Sequence, residues 1–212
     1  MSPLRDYLAW HEDYRDPDSA LSRRLRQVQQ VVEDFYDRTP GPVRVMSSCA
    51  GQGDDLLGVL ARRPDLVERT SGSLLELHPG NAAVARQRIE RLGARLEVRE
   101  VDAGRSESYA GTVPADLVLL VGIMGNISEQ DVARLVRSSP QFCAAGATVV
   151  WTRGDQQPDL CPSIRQWFGA AGFTEVAHHA RLEGTAMTVG VHRLVGEPEP
   201  LVPGRQLFTF LR

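Results

Sequence analysis

Five short apolar runs, beginning near Val43, Leu74, Leu96, Leu117 and Ala147, alternate with segments whose apolar residues fall at helical spacing. No other feature constrains the fold as much, because strands that alternate with helices are the pattern of an α/β protein with a parallel sheet. Helix boundary signals agree. Ser128-Glu129-Gln130-Asp131 reads as a capping box that opens a helix, and Gly172 closes the helix containing Trp167 and Phe168. Ahead of the first run a helical region extends from about Leu4 to Asp37, broken near Asp16-Pro17, with Ser19 or Asp18 as a second cap. After the last run, Phe173 to Ala180 and Ala186 to Leu194 flank a short polar loop and read as a hairpin. The 212 residues, 42% of them hydrophobic, fit a single domain with a sizeable core. Its expected parts are an N-terminal helical lid (1–40), a ligand-binding unit (41–195) and a tail (196–212). Pro198, Pro200 and Pro203 precede Leu207-Phe208-Thr209-Phe210-Leu211 in the tail, whose apolar residues are of a kind seldom left in water. Nothing in the sequence assigns the tail a position.

The stretch from Val43 to Asp55, V-R-V-M-S-S-C-A-G-Q-G-D-D, reads as strand, tight turn and helix. Gly51 and Gly53 remove Cβ atoms that would hold a ligand off the turn, while Leu56-Leu57 and Val59-Leu60 give the following helix an apolar face. The first turn of that helix carries unpaired N–H groups and partial positive charge, so the expected ligand group above it is anionic or strongly polar.

Two further strand ends carry acids. Ser73-Leu74-Leu75-Glu76-Leu77 ends in Glu76, and a carboxylate there can accept both hydroxyls of a ribose. Leu96-Glu97-Val98-Arg99-Glu100-Val101-Asp102-Ala103 again ends in an acid. Together they suit a nucleoside-sized cleft. Dinucleotide cofactors want Gly-x-Gly-x-x-Gly, whose third glycine allows close helix-to-strand packing; here Leu56 holds that position and Gly58 comes two residues late.

In motif order these residues resemble the class I S-adenosylmethionine-dependent methyltransferases. That superfamily's first strand ends in an acid-x-Gly-x-Gly-x-Gly loop, so Ser47 stands at the acid, Cys49 at the first glycine, and Gly51 and Gly53 at the other two. The resemblance implies that Cys49, Ala50, Gly51 and Gly53 cradle the cofactor and that Glu76 takes the ribose. It implies also that Leu77 packs on the adenine and that Asp102 with the Ala103 N–H reads the adenine edge. Ala115 to Gly122 resembles the family's fourth strand, after which Gly122 and Ile123 would approach the methionine part. More closely, C-A-G-Q-G, G-N-I-S and W-T-R resemble a group of bacterial methyltransferase-like proteins. The implied fold is a Rossmann-like, seven-stranded methyltransferase sheet, mostly parallel with an antiparallel closing hairpin, with helices on both faces and an N-terminal helical lid. The implied cofactor is S-adenosyl-L-methionine, with S-adenosyl-L-homocysteine as product.

Composition excludes whole chemistries. All 24 basic residues are Arg, which removes the phosphate-binding lysine of Walker loops, pyridoxal phosphate Schiff bases and any lysine base. A net charge of -3 without a long basic run leaves no electrostatic footprint for nucleic acid. No window has the apolar length of a membrane span, and M-S-P-L-R-D-Y-L-A-W-H-E-D lacks an uninterrupted signal-peptide core, so the expected location is the cytosol. Cys49, Cys143 and Cys161 form no C-x-x-C pair and read as reduced thiols. No His, Cys or acid cluster has metal-ligand spacing, so no metal is expected.

The candidates for catalysis lie around the strand ends. Tyr7, Trp10, His11 and Tyr14 share one helical face, which suits either a lid or packing on the sheet edge; His11 is the leading base and Tyr14 its neighbour. Asn126, in Gly122-Ile123-Met124-Gly125-Asn126-Ile127, can orient an acceptor or serve as a turn residue. Arg153, after the fifth strand, can face the crevice and bind a substrate carboxylate or phosphate, or form a surface ion pair. The expected partner is a small-molecule substrate, methylated on O, N or C by a monomer or homodimer, with no nucleic acid or membrane involved. A NAD(P)-dependent oxidoreductase and a methyltransferase-fold nucleoside-binding protein without transferase activity are the alternatives.

Overall fold

The apolar runs pair into one seven-stranded sheet in the computed structural model, which describes residues 16–154, 156–182 and 185–211. Its strands are β1 (Val43–Ser48), β2 (Thr70–Leu75), β3 (Arg95–Arg99), β4 (Ala115–Leu120), β5 (Cys143–Arg153), β6 (Phe173–His179) and β7 (Thr188–Leu194). They lie in the order β3-β2-β1-β4-β5-β7-β6. The first five are parallel, and β7 runs antiparallel to both β5 and β6. The hairpin is therefore inserted with its second strand inside and its first at the edge.

Among the described residues five α-helices cover the sheet: α1 (Ala20–Arg38), α2 (Asp54–Arg62), α3 (Pro79–Leu92), α4 (Glu129–Ser138) and α5 (Cys161–Ala170). The capping signals read from sequence mark the starts of two of them. Ser19 caps α1 by accepting the Ser22 N–H, and Ser128 caps α4 by accepting the Asp131 N–H. The twofold alternation of strand side chains sorts the core into two halves. Val45, Leu74, Leu117 and Leu119 pack with Val28, Val32, Leu57 and Ile89 of α1, α2 and α3. Met46, Leu75, Val118 and Leu120 face the other way and pack with Val132, Leu135, Ile164 and Phe168 of α4 and α5. Both faces of the central strands are thus buried, which is why those strands read as continuous apolar runs.

Strand order reverses between β1 and β4, which open α/β sheets use as the ligand crevice at the carboxyl ends of the strands. The tail returns to this end of the sheet. Gln206 bridges to Arg105 and Phe210 to Ile127, both antiparallel, and Leu207 and Phe208 are buried with the α4 and α5 side of the core. Among the described residues no helix is long and apolar enough to cross a membrane.

Candidate functional site

Immediately after β1 the chain turns through three left-handed residues, Cys49 (φ 53°), Gly51 (φ 56°) and Gly53 (φ 77°), before α2 begins at Asp54. Cys49 stands where the resembling family has its first glycine and adopts the conformation that glycine would take, at a backbone cost of about 1–2 kcal/mol. Two hydrogen bonds hold the turn. The Ala50 N–H donates to the Leu75 carbonyl (2.9 Å), tying it to β2, and the Gly53 N–H donates to the Ala50 carbonyl (2.9 Å).

Glu76, one residue past β2, closes the arrangement. One carboxylate oxygen accepts the Gly51 N–H (2.8 Å) and the other the His78 N–H (2.7 Å), although the residue is only 8% exposed. His78 in turn caps α3 through Nδ1, which accepts the Asn81 N–H (3.4 Å). Each Glu76 oxygen keeps a lone pair in addition to the bond it makes, so the clasp does not use up its capacity to accept. Leu77 beside it is 64% exposed, unusual for a leucine next to a buried acid. Past β3, Asp102 is exposed and its Oδ1 accepts the Gly104 N–H (2.8 Å). Below these loops Tyr109 donates to the Ala103 carbonyl (2.9 Å) and shares a hydrogen bond with the Ser48 hydroxyl (2.9 Å), pinning the end of β1 to the exit of β3.

These groups line one cavity of ≈ 630 Å³, within the roughly 300–1,000 Å³ typical of small-molecule sites. Of the residues expected from sequence it brings together Cys49, Ala50, Gly51, Glu76, Leu77, Asp102, Ala103, Gly122 and Asn126. Gly53 and Ile123 are not on its wall. Gly53 lies beneath the turn, where a Cβ would come within 2.7 Å of Leu57 and 2.8 Å of Leu74, and Ile123 is buried in the α4 and α5 core. Arg153 is not on the cavity wall: the residue is 5% exposed and donates to the carbonyls of Met124, Gln156 and Pro158, which fastens the loop after β5. Burial lowers its pKa in the absence of a hydrogen-bonded carboxylate. His11 and Tyr14, with Tyr7 and Trp10, lie outside the described residues.

Sequence reasoning missed several wall residues. Arg24 of α1, Asp54 and Asp55 at the start of α2, and Gln206, Phe208, Thr209 and Phe210 of the tail all line the cavity. The two aspartates occupy the first turn of α2, where the helix dipole favours negative charge. That end of the cavity therefore holds two carboxylates together with the two arginines that face them, Arg88 and Arg24. Asp54 pairs with Arg88 at 2.5 Å. Burial pushes the Asp55 carboxyl up to about 6, against the pull of Arg24 and with a further push from Asp54. Burial also holds the Cys49 thiol protonated. On the β4 side, the Gly122 N–H donates to the Thr152 hydroxyl (2.9 Å), and Asn126 Nδ2 donates to the Gly122 carbonyl (2.8 Å), which fixes the amide's orientation.

Solved structures share this architecture. A magnesium protoporphyrin IX methyltransferase from Synechocystis PCC 6803, solved with S-adenosylmethionine bound, gives a TM-score of 0.66 at 12% identity, covering 89% of this chain and 90% of its own. An O-methyltransferase family protein from Burkholderia thailandensis gives 0.61 at 18% identity over 90% of this chain, which spans 64% of that protein, a little under two thirds of its length. The chain has the class I methyltransferase fold. The [4+2]-cyclase SpnF shares the class I fold with a TM-score of 0.57 at 16% identity, over 79% of this chain and 81% of its own. No protein-family model matches the sequence, and no curated protein matches it either.

Proposed function

We propose that this chain is an S-adenosylmethionine-dependent methyltransferase that acts on a small molecule. One observation carries the proposal: Glu76 and Asp102 extend from adjacent strand ends beside exposed Leu77 and the left-handed turn at Gly51, all on the wall of one cavity. In that cavity Glu76 accepts ribose hydroxyls, Leu77 covers an adenine face, and Asp102 with the Ala103 N–H takes the adenine edge. The acids at the start of α2 suit the cationic groups of a sulfonium amino acid. They oppose a dinucleotide, whose diphosphate needs a helix start free of negative charge. Leu56, fully packed where a dinucleotide turn needs its third glycine, argues the same way.

Bound there, the cofactor would supply an electrophilic methyl group on sulfur, so the protein has mainly to position the acceptor and exclude water. Gly122 lets main chain approach the methyl end, and Asn126, held by its bond to Gly122, presents its amide to the acceptor. His11 is the proposed base for acceptors that must lose a proton, with Tyr14 beside it. Small-molecule selectivity is supported by the walled cavity, and the acceptor atom is O, N or C.

A second reading, a class I fold that binds the nucleoside without transferring methyl, has one observation in its favour: a [4+2]-cyclase is among the structures of this fold. Calorimetric titration with S-adenosylhomocysteine, NAD and NADP separates the cofactor classes. Binding of S-adenosylhomocysteine alone is expected, and binding of NAD or NADP in its place removes the proposal. Release of S-adenosylhomocysteine in the presence of an acceptor panel then distinguishes a transferase from a binder.

A further inference from the structure

From Arg205 to Leu211 the tail forms a strap across the carboxyl end of the sheet, anchored at two loops. At the exit of β3 the Leu207 N–H donates to the Gly104 carbonyl (2.7 Å), the Ser106 N–H donates to the Arg205 carbonyl (2.9 Å), and the Gln206 amide also reaches Gly104 (3.0 Å). Gly104 makes this seat possible, because a Cβ there would lie 2.4 Å from the Phe208 carbonyl oxygen. At the exit of β4 the Leu211 N–H donates to the Asn126 carbonyl (2.9 Å) and Phe210 bridges to Ile127. Between the two anchors the Thr209 N–H donates to Asp131 (3.2 Å).

The anchors are the loops that carry Asp102-Ala103 and Gly122-Asn126, so the strap follows the cavity from its nucleoside end to the end where sulfur would lie. Its two rings differ in what they do. Both reach the cavity wall, but Phe208 is 1% exposed and packs in the core, whereas Phe210 is half-buried, meets Phe208 edge-to-face at 5.5 Å and bridges to Ile127, next to Asn126. An aromatic ring on a cavity wall is a source of cation attraction, through its quadrupole.

We propose that Phe210 is the ring that receives the sulfonium, so that the strap discriminates the charged methyl donor from its neutral thioether product. The inference rests on the cofactor reading above. Glu76 and Asp102 would hold the nucleoside over β2 and β3, which leaves the sulfur toward β1 and β4, and Phe210 is on the cavity wall with its backbone bridged to Ile127 past the end of β4. Aromatic attraction for a cation requires a face and not merely apolar volume, so leucine in place of Phe210 keeps the packing and loses the discrimination.

Dissociation constants of S-adenosylmethionine, S-adenosylhomocysteine and sinefungin, which carries an ammonium where the donor has its sulfonium, test this on the full chain and on Phe210→Leu and Phe210→Tyr. Phe210→Leu is expected to weaken the two cationic ligands by about 3- to 10-fold and the thioether by less than about twofold, the two bounds being separable by calorimetry. Phe210→Tyr keeps a ring and is expected to retain the preference; it carries the test if the leucine variant fails to fold. Equal losses for all three ligands, or no loss, overturn the sulfonium role while leaving the cofactor reading intact. A full chain that binds none of the three overturns both.

Discussion

The two ends of the cavity are built by different means. At the end lined by Glu76 and Asp102, polar groups clasp a turn: Glu76 accepts two backbone N–H groups, and Tyr109 joins Ser48 to Ala103. At the end lined by Gly122 and Asn126, main chain past β4 meets a strap from the tail, and Phe210, bridged to Ile127, is part of the wall. On the proposed cofactor reading, the first end, at the nucleoside, recognises through directed hydrogen bonds in a preset frame, and the second, at the methyl group, through shape and charge preference with fewer polar groups committed. Changes at the first end should therefore cost affinity for every adenosyl ligand, and changes at the second should alter the preference among them.

The largest effect is expected at the turn. Gly51→Val forces a β-branched residue into a left-handed conformation on the cavity wall and should reduce S-adenosylhomocysteine binding below detection with the fold retained. Gly53→Val should behave differently, losing thermal stability first, because its added carbon meets Leu57 and Leu74 and not the ligand. Retained binding in folded Gly51→Val would place the ligand away from the turn and dissolve the distinction between the ends.

Next comes Arg153→Met. Three carbonyls lose their donors, and we expect a loss of about 3 kcal/mol in chemical denaturation with adenosyl affinity unchanged in the folded fraction. A variant with full stability but lost acceptor turnover would return Arg153 to the substrate. Glu76→Ala should weaken S-adenosylhomocysteine by about 1.5–3 kcal/mol, the usual worth of hydrogen bonds to a charged group. Calorimetry with a parallel melting curve separates this from loosening of the turn, and an unchanged affinity would take the ribose away from Glu76.

The smallest effect is a pH dependence at Asp55. Burial holds its carboxyl at about 6, above its ordinary value, so the ionised form is disfavoured in the fold. As pH falls from about 6 to the unfolded value near 4, the native state takes up a proton that the unfolded chain does not, and stability rises through that window. Asp55→Asn removes the penalty and should stabilise the protein by about 1 kcal/mol at pH 7.5, an advantage that fades below pH 4, while weakening S-adenosylmethionine more than the neutral product. Melting curves across this range check the sign: an asparagine variant less stable at pH 7.5 would mean that Asp55 is held in a favourable ion pair.

The geometry of the glycine turn and Glu76 was legible in the sequence because its parts are local. A strand, two glycines and an acid past the next strand fix one another within thirty residues, and even Cys49 keeps the left-handed turn at a position where the family has glycine. The hairpin of β6 and β7 was legible for the same reason. The partners of Arg153 were not legible because position at a strand end does not give direction; its side chain donates to the carbonyls of its own loop. The strap could not be placed because its partners, Arg105 for Gln206 and Ile127 for Phe210, lie far away in sequence, and an isolated bridge leaves no periodic signal. Asp54 and Asp55 were visible, but read as a lead into a helix when they are also cavity wall.

The Glu76 clasp carries a consequence for kinetics. Since its carboxylate already holds the Gly51 and His78 N–H groups in place, the turn does not have to order itself around an arriving nucleoside, and that entropy is spent during folding. Association at this end should be a single exponential phase that scales linearly with ligand concentration, close to rigid docking. Any slower, concentration-independent phase in stopped-flow traces would then report on a segment other than the glycine turn.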